Sequence, residues 1–407
     1  MAEYADREHY IPLRKSELID LLCADRDAST DRTLTPEEQS GFRTLCRRMA
    51  EYYHLVYFDL LEQIKESYSP FDPDADTTTL RTCSDTDRER QLDLLFADID
   101  RLLERGNFRK LSTEEMLKAT ESVSAWGINL DIDLSVFERL AVYYRGDTVG
   151  TRSRRRLRNW FRTESFSVPV YQRMVVVLKQ KASKRLGQNA DTRSVFLKFF
   201  KDIPKPDIEM LLPGGRLKMP AIEQGKLGAS VVGTFGFVAY KVAKEVGKVV
   251  INNPLSYYGP FGLVLSYGYK QYAGFQNTKK TYSNQLTQSL YYQNLDNNAG
   301  VFFRLIDAAE EQECREAILG YFFLWRYAGP DGWTAHALDD FVEAYLERVT
   351  GLKVDFEIAD ALAKLERLRF VEKVGDRYRA TPLDRAEGLL ADAERRFVTG
   401  DTPFGGG

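Results

Sequence analysis

Apolar positions recur at helical spacing through the early part of the chain. Thr35-Pro36-Glu37-Glu38 reads as a capping box with proline at the first helical position. Phe42, Leu45, Met49, Tyr53, Val56, Leu60 and Ile64 then follow three and four apart, which predicts one face of a helix over 35–65. Leu92, Leu95, Phe96, Ile99, Leu102 and Leu103 predict a second helix over 88–105, with Gly106 at its stop. Ser112 and Glu115 form another capping box, opening a helix to about 124. Residues 1–125 therefore predict an all-helical N-terminal module.

The period then changes. Residues 137–144, 166–179 and 194–200 are rich in Val, Phe and Tyr and predict strands, so 126–220 reads as a small α+β module. Pro169, between Val168 and Val170, belongs at a strand start or on a sheet edge. Residues 227–240 and 249–269 carry no charge, and Lys241, Lys244, Glu245 and Lys248 separate them. This predicts a central helical hairpin, rich in glycine and aromatics, over 221–280. Tyr282, Leu286, Leu290 and Leu295 mark a polar-faced helix, and 301–327 a longer one with a charged middle, giving a helical pair over 281–330. Gly329-Pro330-Asp331-Gly332 breaks the chain. Beyond it, 331–400 reads as a helix over 335–349, a helix from Asp355, a hairpin around Gly375-Asp376 and a helix after Thr381-Pro382. That is the order of a winged-helix module. The fold class expected is mostly α, an α+β multi-module chain.

Hydrophobic residues make up 43% and charged residues 29%, which supports packed cores rather than disorder. A net charge of −3 leaves no chain-wide basic footprint for nucleic acid. Cys23, Cys46, Cys83 and Cys314 are scattered without a C-x-x-C pair, and His9, His54 and His336 lie far apart. Reduced thiols in an intracellular, reducing compartment follow, with no metal site and no cofactor. The N-terminus lacks the basic and apolar regions of a signal peptide, and Glu3, Asp6 and Glu8 do not suit a transit peptide, so secretion is not expected.

The sharpest charge feature is Arg152, Arg154, Arg155, Arg156, Arg158 and Arg162, with Trp160 among them. Such a cluster can hold anionic lipid headgroups, can grip nucleic-acid phosphates with an aromatic to stack a base, or can be a solvated basic loop or helix. Asn294, Asp296, Asn297 and Asn298 crowd one turn. They either line a polar pocket or end one helix and cap the next. Asp72, Asp74 and Asp76 imitate the start of a calcium loop, but Thr77 and Cys83 stand where glycine and glutamate are needed, so a helix-ending turn is expected. In the winged-helix candidate, Asp355, Glu357, Asp360 and Glu366 outnumber Lys364, Arg367 and Arg369, which favours a protein-contact or packing role over DNA. No phosphate-loop, dinucleotide-fold, nucleophile-elbow or zinc-protease motif occurs, which leans away from catalysis.

KFFKDIPKPDIEMLLPGG at 198–215 and QLTQSLYYQNLDNNAG at 285–300 together resemble the uncharacterised domain family numbered 3754. HYIPLRKSELIDLL, SYSPFDPDAD, YYRGDT and DFEIADALAKLERL look like the same family, whose animal members are called transmembrane protein 143. The resemblance implies an intracellular protein of a bacterial inner membrane or a mitochondrial-type membrane, with paired membrane segments near the centre. It supplies no catalytic residues. Residues 227–240 would cover about 21 Å of a bilayer core about 30 Å thick. The run 249–269 is longer but holds Asn252, Asn253, Pro254 and Pro260. Lysines flank both runs and fill their connector, which favours a shallow hairpin keeping every lysine on one side. The expected function is a membrane-associated scaffold or adaptor. The alternatives are a soluble enzyme or ligand-binding protein with the hairpin as core, and nucleic-acid binding through the arginines. The expected partners are an anionic membrane surface, a protein at the C-terminal module and a second copy of the chain.

Overall fold

The computed structural model describes residues 10–25, 33–77, 84–112, 114–116, 129–131, 133–155, 163–186, 190–213, 216–218 and 291–399. The predicted hairpin at 221–280 lies outside these residues, as do most of the helix predicted after Ser112 and most of the one marked by Tyr282, Leu286, Leu290 and Leu295. Leu295 stands in a strand instead, because the stretch Asn294–Asn297 pairs along a sheet edge.

Helix α1 (Lys15–Cys23) leads into α2 (Pro36–Tyr68). The capping box of α2 forms as its sequence dictates. The Thr35 hydroxyl accepts from the Glu38 N–H at 3.2 Å, and the Glu38 carboxylate accepts from the Thr35 N–H at 2.9 Å. Helix α3 (Asp85–Arg105) starts at the Ser84 cap and stops at Gly106. The Ser112–Glu115 box closes in the same reciprocal way.

Strands β1 (Arg109–Lys110), β3 (Phe137–Arg155), β4 (Thr163–Gln180), β5 (Val195–Pro204) and β7 (Asn294–Asn297) form an antiparallel sheet in the order β1-β3-β4-β5-β7. A separate pair joins β2 (Asn129–Asp131) to β6 (Arg216–Lys218). The main sheet is buried on both faces, and the period of two sorts its residues. Ala141, Tyr143, Val175, Val177, Leu197 and Phe199 point into the core shared with the helices. Val142, Met174, Val176, Leu178 and Phe200 point into a smaller core closed by Ile208, Leu211 and Leu212.

Helix α4 (Ala299–Tyr327) runs through the larger core. Its stretch 316–324 is buried on every side, the mark of a helix that passes through a core. Phe302, Tyr321, Phe322 and Phe323 are fully enclosed, and each side chain of this size contributes about 1.5–3 kcal/mol on burial. Phe42 of α2 packs on Phe322 and stacks on Trp325, tying the N-terminal helices to α4.

The chain then turns at Gly329 and Gly332, both with positive φ. A side chain at Gly332 would bring its Cβ to 2.5 Å from the Tyr378 carbonyl oxygen, so glycine is required there. Strand β8 (Trp333–Thr334), α5 (Ala335–Thr350), α6 (Ile358–Arg367), β9 (Val371–Val374), β10 (Arg377–Ala380) and α7 (Leu383–Val398) follow. The three strands form a sheet in the order β8-β10-β9, and Gly375, with φ of 67°, turns the β9–β10 hairpin.

Among the described residues, no helix is long and apolar enough to cross a membrane.

Candidate functional site

The arginine cluster divides between two settings. Arg152, Arg154 and Arg155 lie in β3, where antiparallel pairing sets them opposite Phe166, Glu164 and Thr163 of β4. The sequence allowed a basic loop or helix here, but pairing with β4 holds this stretch extended. Arg156, Arg158, Trp160 and Arg162 fall in the connection between the strands, outside the described residues. Strand β5 pairs with β4 only as far as Val170, and β1 reaches β3 only at Tyr143 and Tyr144. Among the described residues, β3 and β4 therefore continue past the sheet as a two-stranded ribbon, roughly 25 Å long at 3.4 Å per residue. Pro169 sits just beyond the last pair with β5, on an edge where its missing N–H costs no ladder bond. Val149 on this ribbon is 67% exposed.

Asn294, Asp296 and Asn297 form the edge strand β7, one residue after a helical turn at 291–293. Their polar groups are spent on local structure. Asp296 accepts from Arg304 Nε at 2.8 Å and from the Asn297 N–H at 3.1 Å. Asn298, with φ of 49°, makes no side-chain cap on α4. Its amide instead donates to Asp74 at 2.6 Å and accepts from the Leu197 N–H at 3.3 Å. Asp74 belongs to the turn that ends α2, where its N–H donates to the Asp72 carboxylate at 3.0 Å. Among the described residues, no His/Cys/Asp/Glu group is arranged to hold a metal.

The most unusual chemistry was not singled out from the sequence. Glu313 and Glu316, in the charged middle of α4, are 5% and 1% exposed, and Lys364 of α6 is 6% exposed. Lys364 Nζ lies 2.7 Å from Glu316, 2.6 Å from Asp360 and 3.7 Å from Glu313. Gln312 and Asn107 donate to the other Glu316 oxygen at 2.7 and 3.2 Å. Asn107 adopts φ of 57° just past the end of α3, which aims its amide inward. Tyr57 of α2 lies against Glu313, and Arg105 acts on it electrostatically.

Burial pushes the Glu313 carboxyl above the usual carboxylate range, while Lys364 and Arg105 oppose the rise. Burial alone would lower the Lys364 ammonium, but Glu316, Glu313 and Asp360 outweigh it and hold the group above its ordinary value. Lys364 is therefore a fixed cation, unsuited to nucleophilic or proton-transfer work at neutral pH. The cluster binds helices to one another. Its loss from the surface of α6 also leaves Asp360, Glu366 and Arg367 as the exposed charges of that helix.

A groove of about 410 Å³ opens between α1 and α2 over Ile19, Cys46 and Ala50. Its rim cations Lys15 and Arg43 are already paired with Glu311 at 2.8 Å and Asp20 at 2.6 Å. Cys23, Cys46 and Cys314 are free and buried, and burial raises all three thiols, so they are packing residues rather than reactive ones.

Residues 137–300 match the family described as "Protein of unknown function (DUF3754)". No solved structure matches the chain. The matched stretch, which holds β3, β4, β5, β7 and the first two residues of α4, is similar to this uncharacterised domain family.

Proposed function

We propose that this protein is a membrane-associated scaffold whose ribbon arm meets an anionic lipid surface. One observation carries the reading: β3 and β4 run beyond the sheet and bear Arg152, Arg154 and Arg155 toward a connection holding three further arginines and Trp160. Each arginine near an anionic surface contributes about 1 kcal/mol, and the ribbon carries Arg152, Arg154 and Arg155 beyond the last pair with β5. The uncharged runs at 227–240 and 249–269 suit a shallow hairpin on the same surface. Catalysis is not part of the proposal, because the buried charges are spent on one another. The C-terminal module, with strand order β8-β10-β9 and two helices between β8 and β9, suits a winged-helix arrangement. Its second helix presents acidic side chains outward, which suits a protein partner rather than DNA. An intracellular, reducing compartment fits the free buried thiols.

Vesicle co-sedimentation tests the proposal. The full chain is expected to bind phosphatidylglycerol vesicles at low salt and phosphatidylcholine vesicles poorly. Changing Arg152, Arg154, Arg155 and Arg158 together to Glu is expected to abolish binding. No binding of the wild type to anionic vesicles at low salt would overturn the reading. Retardation of RNA or DNA in its place would move the arm to nucleic-acid binding.

A further inference from the structure

Buried Glu316 is shared by both ends of the chain. On the N-terminal side, the Ile11 N–H donates to Gln312 at 3.1 Å, and Gln312 donates to Glu316 at 2.7 Å. The neighbouring segment is stitched along the same helix. Arg315 donates to the Leu13 carbonyl at 2.5 Å, and Lys15 pairs with Glu311 at 2.8 Å. On the C-terminal side, Lys364 holds the other Glu316 oxygen at 2.7 Å and fastens α6 to α4. Gln312 is 2% exposed and Glu316 1% exposed, so neither finds water if a partner leaves.

We propose that Glu316 couples the seating of residues 10–15 to the seating of α6, so that the two ends of the chain loosen or tighten together. The physical reason lies in the relay. If Ile11 departs, the Gln312 carbonyl oxygen is buried without its donor. Turning the amide to satisfy it withdraws the donor that Glu316 receives. A buried carboxylate with one donor fewer is held less well, and the Lys364 clasp weakens with it. The reverse holds for loss of Lys364, because a coupling between two sites acts equally in both directions.

Hydrogen exchange followed by mass spectrometry on the full chain tests this. Gln312→Met removes the relay while keeping its bulk. It is expected to speed exchange at 358–367 by about tenfold, although the hydrogen bonds it removes reach only Ile11 and Glu316. Lys364→Met is expected to speed exchange in α1, at the opposite end. The amides of Val175, Val176 and Val177, deep in β4, are expected to hold in both variants. Glu316→Gln keeps shape and most hydrogen bonds, so it is the milder probe of the same clasp, and it is expected to loosen both ends by a smaller factor. Exchange confined to the substituted end would overturn the coupling. A uniform rise that includes β4 would overturn it as well, since that is global destabilisation.

Discussion

Two regions of this molecule use cations in opposite ways. In the clasp between α4 and α6, Lys364 is buried with Glu313 and Glu316 and paired with the exposed Asp360. Along the ribbon, Arg152, Arg154 and Arg155 stand in register with Phe166, Glu164 and Thr163, and three further arginines follow in the sequence before β4. The clasp has more carboxylates than ammoniums and no room for another partner. Among the paired residues of the ribbon, Arg152, Arg154 and Arg155 outnumber the one carboxylate, Glu164. Charge buried with partners specifies how elements sit together, whereas the charge along this strand pair is the feature on which the proposed lipid contact rests.

The largest test of that contrast is Lys364→Met. Removing the cation leaves two glutamates buried without their ion partner, and the expected loss is about 3–5 kcal/mol. Urea unfolding measures it, and a loss under about 1 kcal/mol would mean that the carboxylates relax to solvent. Asp339 of α5 provides a pH-dependent case. Burial, then Glu343, Asp355 and Asp340 beside it, push its carboxyl up to about 6. A raised folded value favours the native state when the group is protonated, and that support is lost as pH rises from about 4 through 6. Asp339→Asn is therefore expected to gain on the wild type as pH rises. The gain should reach about 1 kcal/mol after solvent screening of this half-exposed side chain. Unfolding at pH 4 and pH 8 checks the sign, and an advantage that shrinks with pH would refute it.

The exposed pair of Lys110 and Asp100, at 2.9 Å, sharpens the comparison from the other side. Lys110→Ala is expected to cost about 0.2–1 kcal/mol, several-fold less than the buried lysine, with a cost that shrinks in high salt. The smallest effect is expected on the ribbon. Val149→Ser should change stability by less than about 0.5 kcal/mol in thermal unfolding, since the residue is 67% exposed. A larger loss would show that the arm is packed against something rather than held free.

The legible elements share one property. The capping boxes at Thr35 and Ser112, the Gly375 turn and the 3.6 and 2.0 periods all depend on atoms a few residues apart. The structure reproduces them within a residue or two. The β-branched and aromatic residues that predict a strand over 137–144 give way to Gly146, Asp147 and the arginines beyond. Pairing with β4 carries the strand on to Arg155. Asn294, Asp296 and Asn297 looked like helix punctuation, and β5 supplied the edge that draws them into a strand. Lys364 read as one charge on an exposed helix face. Only the position of α4 shows that it points inward.

The sequence by itself determined where helices start, where turns fall, which strand residues alternate, and that no familiar catalytic motif is present. Those are properties of neighbours along the chain. The tertiary structure decided which charges are buried, which strands outrun their sheet among the described residues, and that Glu316 binds Lys364 directly and Ile11 through Gln312. Burial and partnership belong to residues far apart in sequence, and Glu316 meets Lys364 only because α4 and α6 pack together.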